Sequence, residues 1–165
     1  MYLLDTPILL DLAKARAGGG DPGLVGWAGG IARERLFVSA ISLVELEDVA
    51  VRTARRDKSA AAGLRSWIGG QLLSAFDGHV LPLDTGVARR RGEVPLTDTR
   101  DALLAATALH HGLTLVTTNV AGFKGVKLRL FDPSTYRVED RGDEGDWRSA
   151  TQARPPWLRS LFIRG

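Results

Sequence analysis

Tyr2-Leu3-Leu4-Asp5-Thr6-Pro7 is the stretch on which the rest of the chain turns. Three apolar residues run straight into one carboxylate, and a helix-starting pair follows at once. A short apolar run of this kind reads as a buried strand. Thr6-Pro7 reads as a capping hydroxyl followed by proline at the first helical position. Asp5 therefore closes a strand at its carboxyl end, and in open α/β sheets that edge is where ligands bind.

Outward from this stretch, strand and helix signals alternate. Residues 8–14 predict a short helix, stopped by Gly18-Gly19-Gly20. Asp21-Pro22 opens a second helix, expected to run to about Arg33. Residues 36–40 predict a strand. Ser42 and Glu45 have the Ser-x-x-Glu spacing of a capping box and open a third helix ending at Arg55-Arg56. Asp57 starts a fourth helix, with Leu64, Trp67, Ile68 and Leu72 at amphipathic spacing. Residues 80–84 predict a strand that Pro82 confines to a sheet edge or a bulge. Residues 85–93 form a short helix. The polar run Thr97-Asp98-Thr99-Arg100-Asp101 then leads into residues 102–109, apolar on every face and so buried on most sides. His110-His111-Gly112 closes that helix. Residues 113–118 and 128–131 are the last two strands. Helices between most strands imply an α/β fold, a mostly parallel central sheet covered on both faces.

After Asp132-Pro133 the apolar periodicity stops. Residues 1–133 are therefore expected to form one α/β domain, and residues 134–165 an extension beyond its core that is disordered or partner-binding. Glu139-Asp140, Asp143-Glu144, Trp147 and Trp157 stand out there. The 165 residues, 44% hydrophobic and 25% charged, suit one domain with a real core. The absence of cysteine excludes a disulfide scaffold and thiolate metal sites and suits a cytoplasmic protein. No apolar run approaches the roughly 20 residues of a membrane span, and no secretory signal precedes the first strand. Net charge is +3, and all but four of the 22 basic residues are Arg. Such a bias suits phosphate binding as well as it suits GC-rich codon usage.

Three acids far apart in sequence hold comparable positions. Asp5 closes the first strand, Glu45 lies early in the helix after the second, and Asp101 begins the buried helix before the fourth. Asp101 reaches the same edge as the others if its helix belongs to a crossover like theirs. Each acid also has a local structural role open to it: capping for Asp5, the Ser42 capping box for Glu45, the helix dipole for Asp101. Gathered together, three carboxylates repel one another unless a cation binds them. Hard oxygen ligands select Mg²⁺ or Mn²⁺, and the chemistry such an ion supports at a phosphate is hydrolysis by an activated water.

Leu3-Leu4-Asp5-Thr6, the run Ser39-Ala40-Ile41-Ser42-Leu43-Val44-Glu45-Leu46, Asp101-Ala102-Leu103-Leu104-Ala105-Ala106-Thr107-Ala108, and Gly112-Leu113-Thr114-Leu115-Val116-Thr117-Thr118-Asn119 together resemble the PIN-domain ribonucleases, and more narrowly the VapC-type toxins of bacterial toxin–antitoxin pairs. The resemblance covers about residues 1–133. It implies a three-layer α/β/α fold, an Mg²⁺- or Mn²⁺-dependent endoribonuclease, a homodimer, and an antitoxin partner. It also implies that Asp5, Glu45 and Asp101 are the metal-binding catalytic acids. Two positions depart from the family pattern. Pro7 stands where Asn is usual, and the loop at Asn119 carries no fourth acid, which leaves a second metal weakly held. Asn119, through its amide oxygen, and Asp98 are the residues available to compensate, although Asp98 is also placed to cap its helix.

Thr6 and Thr118 flank the proposed site and are candidates to position water or phosphate. Arg52, Arg55, Arg56 and Arg89 are candidates to track an RNA backbone. His110 and His111 lie about 15 Å along the helix from Asp101, too far to share its chemistry. His79 is expected at the surface, and Trp27 and Trp67 in the core. The alternative function is a PIN-fold module weakened by its missing acid, binding RNA or antitoxin without cleaving. A signalling receiver would need paired acids at the first strand and a late Lys, and an aspartyl phosphatase would need Asp-x-Asp; the chain has neither.

Overall fold

Leu3 and Leu4 are both fully buried, on opposite faces of one sheet. The computed structural model describes residues 1–14, 20–137 and 156–161. β1 (Tyr2–Leu4) lies at the centre of a five-stranded sheet in the order β3-β2-β1-β4-β5. Its partners are β2 (Leu36–Ser39) and β4 (Thr114–Val116), and β3 (Val80–Leu81) and β5 (Leu130–Phe131) form the edges. Each of the four pairings is parallel. A parallel sheet needs cover on both faces, which is why its inner strands are continuously apolar.

The helices supply that cover in two separate cores. On one face, Leu4, Val38 and Val116 pack with Ile8, Leu9 and Leu12 of α1 (Thr6–Lys14) and with Trp27 of α2 (Pro22–Gly29). Leu46 of α3 (Ala40–Ala54) joins them, together with Trp67 and Ile68 at the end of α4 (Lys58–Ser66). On the other face, Leu3 and Leu115 meet Val87 of α6 (Thr85–Arg91) and the alanine-rich side of α7 (Thr99–His110). Odd and even strand positions thus feed different cores, as a period of two requires. The result is the three-layer α/β/α arrangement.

Several boundaries differ from expectation. α2 stops at Gly29, capped at Gly30, because consecutive glycines end it before Arg33. Arg33 instead opens a 3-10 turn and places its guanidinium 4.4 Å from the Phe76 ring centroid. α4 continues into a π-helical turn, Trp67–Leu72, and a last helical turn α5 (Leu73–Ala75). β3 ends before Pro82, which has no amide hydrogen for the ladder, and Asp84 caps α6 by accepting from the Val87 amide at 2.9 Å. Proline does mark an edge strand, as expected. His79 is half-buried against Phe37 rather than on the surface, with ring centroids 4.8 Å apart. Trp27 and Trp67 are core residues, as expected.

The core does not end at residue 133. The carbonyl oxygens of Pro133 and Tyr136 lie 2.7 and 2.9 Å from where a Cβ on Gly23 would stand, so that turn packs directly on α2. Farther on, α8 (Pro156–Ser160) places Leu158 in the first core, followed by Leu161. The Trp67 indole N–H donates to the Leu161 carbonyl. Part of the segment expected as an appendage is thus core. The stop at Gly18-Gly19, the acidic pairs Glu139-Asp140 and Asp143-Glu144, and Trp147 lie outside the described residues.

Leu158→Ala is expected to lower the free energy of unfolding by about 2–4 kcal/mol, read from urea denaturation. A change below about 0.5 kcal/mol, typical of surface positions, would mean that Leu158 is not seated in the core.

Candidate active site

Asp5 sits one residue past the central strand, its amide still in the ladder to Val116 O at 3.0 Å. The sheet edge gives its carboxylate two donors. The Thr6 amide, first in α1, donates to Oδ1 at 2.7 Å, and the Thr117 hydroxyl donates to Oδ2 at 2.6 Å. β1 and β4 pair with Leu4 opposite Val116, so the next residues, Asp5 and Thr117, lie abreast. Both are buried.

Glu45 arrives from α3. The helix starts at Ala40, capped by Ser39, whose hydroxyl accepts from the Ile41 amide at 3.3 Å. Glu45 is therefore in the second turn, and the capping box expected from Ser42 does not form. The Ser42 hydroxyl is fully buried and makes no hydrogen bond among the described residues. Glu45 reaches instead toward Asp5. Its Oε2 accepts from the Thr6 hydroxyl at 2.5 Å, and its Oε1 pairs with the Arg100 guanidinium. Thr6 thus ties the two acids together with its amide on one and its hydroxyl on the other; it does not cap α1 as expected.

Asp101 completes the group from the first turn of α7. That helix runs back from the carboxyl edge so that β4 can enter parallel to β1, which is the crossover Asp101 requires. Asp98 is its N-cap, accepting from the Asp101 amide at 2.9 Å while exposed to solvent. Gly112, at φ +64°, ends the helix at the opposite edge, where His110 and His111 stay, away from the acids.

Burial is the main reason why all three carboxyls titrate above their ordinary range. For Asp5, the Thr117 and Thr6 hydrogen bonds and the Arg100 charge oppose the rise. For Glu45, the Thr6 hydroxyl and Arg100 oppose it, while Asp5 and Asp101 add to it. For Asp101, Asp98 and Asp5 add to it and Arg100 opposes it. The three acids are therefore close enough to feel one another, with Arg100 as their nearby positive charge. As the side chains stand, no three His, Cys, Asp or Glu groups among the described residues converge on one point to hold an ion. Their oxygens are turned to Thr6, Thr117 and Arg100. In donor type, three carboxylates, the Asn119 amide and the threonine hydroxyls suit a hard divalent cation.

A cleft of about 290 Å³ opens over the group. Asp5, Thr6, Glu45, Asp101 and Asn119 line it, with the cations Lys14, Arg52 and Arg100 around them. Asn119 caps the turn Val120–Phe123, accepting from the Gly122 amide at 3.2 Å. Several expected residues stand apart from the cleft. Thr118 is exposed, and the hydroxyl on Asp5 belongs to its neighbour Thr117. Asp98, Arg55, Arg56 and Arg89 do not line the cleft. Sequence reasoning missed Thr117, Arg100 and Lys14. Alignment of Leu3-Leu4-Asp5 with Leu115-Val116-Thr117 as neighbouring strands would have found the first.

A doubly covered parallel sheet, with acids from three distant segments at its carboxyl edge, defines an α/β protein with an acidic edge site. The profile of the PIN domain matches residues 2–127, and the chain belongs to the PIN-domain family. It is similar to the VapC ribonuclease Y4jK of Sinorhizobium fredii, 27% identical over 81% of this chain and 97% of that protein. It is also similar to Toxin FitB of Neisseria gonorrhoeae, 26% identical over 81% of this chain and 98% of that protein. A crystal structure of FitAcB from Neisseria gonorrhoeae shares the fold, with a TM-score of 0.71 at 24% identity, over 81% of this chain and 98% of that one.

In the unfolded chain these carboxyls ionise near pH 4. Between that value and their raised folded values the folded state holds more protons, so stability falls as pH rises through the window and stays lower above it. Asp101→Asn removes one of the three repelling charges. In chelator at pH 7 its thermal midpoint is expected above that of the wild type, with the gap closing below about pH 4. A wild type at least as stable at pH 7 would contradict this electrostatic picture.

Proposed function

We propose that this chain is a Mg²⁺- or Mn²⁺-dependent endoribonuclease and the toxin of a toxin–antitoxin pair. The observation that carries the reading is the meeting of Asp5, Glu45 and Asp101 in one cleft, all with raised proton affinity and with cations at its rim. Membership of the PIN family and relatives named as a VapC ribonuclease and a toxin support it. Among the described residues no helix is long and apolar enough to cross a membrane, which is consistent with action in the cytoplasm. For a homodimer, α3 offers Val44 and Val51, exposed and seven residues apart on one side of the helix.

The residues divide the work by position. Asp5, Glu45 and Asp101 would hold the cation, with Asn119 contributing its amide oxygen. Thr117 and the Thr6 amide fix the Asp5 carboxylate, and the Thr6 hydroxyl fixes Glu45, so neither has to be ordered when substrate arrives. Lys14 and Arg52 stand at the rim of the cleft to bind phosphates beside the scissile one. When bound, a divalent cation supplies Lewis-acid polarisation of the phosphate and acidifies a water for in-line attack.

A second reading, a PIN-fold module that binds RNA or antitoxin without cutting, draws on one observation. Asn119 stands where the family pattern has a fourth acid, and its oxygen is already engaged by the Gly122 amide.

Purified protein incubated with structured RNA is expected to cleave it in Mn²⁺ or Mg²⁺ and to stop in chelator. Asp5→Asn and Glu45→Gln are each expected to reduce the rate by at least about 100-fold, since loss of even an outer-shell partner costs 10–100-fold at metal sites. Cleavage that survives chelator or Asp5→Asn would sink the metal-nuclease reading. RNA binding without cleavage under every condition would select the module.

A further inference from the structure

Arg100 occupies an unfavourable place for a cation. It lies in the first turn of α7, where the helix end is positive and an acid is preferred. Its guanidinium nevertheless turns into the cleft and pairs with Glu45 Oε1. Nη2 lies 3.9 Å from Asp101 Oδ1 and Nε lies 3.9 Å from Asp98 Oδ1. The surrounding acids therefore decide where it sits. The side chain remains 55% exposed, so the guanidinium is free to leave without opening a cavity.

A divalent cation bound by Asp5, Glu45 and Asp101 would compete for the same charge. Glu45 cannot present one Oε1 lone-pair face to both, and two cations within one small cleft repel each other. Arg100 cannot go far, because its backbone is held next to Asp101. An Arg released there keeps a planar fork of donors at the mouth of a cleft that also holds Lys14 and Arg52. That fork matches the two non-bridging oxygens of a phosphodiester.

We propose that Arg100 is a built-in counter-cation, which holds Glu45 until a divalent metal displaces it and then binds the phosphate of the RNA seated in the cleft. The proposal rests on the metal-dependent reading above and adds a residue to it. One side chain serves two partners in succession: it offsets acid repulsion in the resting protein and meets the substrate in the loaded one. Metal binding and phosphate binding are coupled through it.

Two measurements on the full chain test this. The first is Mn²⁺ affinity without RNA, from the electron paramagnetic resonance signal of free Mn²⁺, for wild type, Arg100→Gln, Arg100→Lys and Asp5→Asn. Arg100→Gln is expected to bind Mn²⁺ about threefold or more tightly than wild type, the scale of a partly exposed ion pair. Arg100→Lys, which keeps the competing charge, is expected to stay near wild type, and Asp5→Asn to bind more weakly. The second is fluorescence anisotropy of a short labelled single-stranded RNA, in Ca²⁺ and in chelator. Arg100→Gln is expected to weaken binding several-fold in Ca²⁺ and to leave it unchanged in chelator, and Arg100→Lys to recover only part of the loss. If wild type binds Mn²⁺ but Arg100→Gln binds it no more tightly, the displacement is overturned and the metal site stands. An equal loss of RNA affinity with and without Ca²⁺ overturns it too. If wild type and Asp5→Asn bind Mn²⁺ alike, the metal reading itself falls, and the role of Arg100 with it.

Discussion

A carboxylate is buried at the end of the central strand, and the structure around the cleft follows from the need to keep it there. Removing an ionised acid from water is costly unless donors replace the lost hydration. Asp5 obtains two, and both come from the architecture. The first amide of α1 is unpaired because it begins a helix. The Thr117 hydroxyl is present because the parallel register of β1 and β4 brings that residue abreast of Asp5. Thr6 then extends the arrangement to Glu45, and Glu45 to Arg100. A chain of contacts thus leads from the sheet to α3 and α7, so the relative placement of three elements is expressed in one polar cluster.

That cluster works against folding. Burial raises the proton affinity of all three acids, and repulsion by neighbouring carboxylates adds to it for Glu45 and Asp101, so the folded state holds their charges less readily than the unfolded one does. Two apolar cores, one on each face of the sheet, offset this. The extension contributes to the first of them through Leu158 and Leu161, on the side that carries Trp67 and Ile68. The acid cluster and the apolar cores are separate in space, which allows the site to stay electrostatically strained while the scaffold stays packed. Strain confined to a site poised for a ligand is a familiar property of functional regions.

Much of this was legible in the chain. The continuous apolar strands, the helices between them and the proline at an edge strand are local signals with direct physical causes, and they define a parallel α/β/α fold. The three acids were legible because each ends or begins an element on the same sheet edge. What escaped depended on register and on distance through space. Thr118 rather than Thr117 was expected at the site because a one-residue shift in a strand reverses the face, and no local signal sets that shift. Ser42 and Glu45 have capping spacing, yet α3 starts three residues earlier, capped by Ser39 at the end of β2, and Glu45 serves Thr6 instead. Arg100 lies between two acids and reads as part of a polar helix entry; its contact with Glu45 spans the fold. Leu158 and Leu161 sit in a polar stretch with no periodicity, and only docking against Trp67 shows that they are core.

If the proposed function holds, the acids at the end of β1, in α3 and in α7 together bind one divalent cation. Crystals grown with Mn²⁺ and measured at a wavelength near the manganese absorption edge test it most directly. A single anomalous peak is expected between Asp5, Glu45 and Asp101, with the Arg100 guanidinium turned away from Glu45. Anomalous signal confined to other positions, with Arg100 still on Glu45 at saturating Mn²⁺, would contradict it.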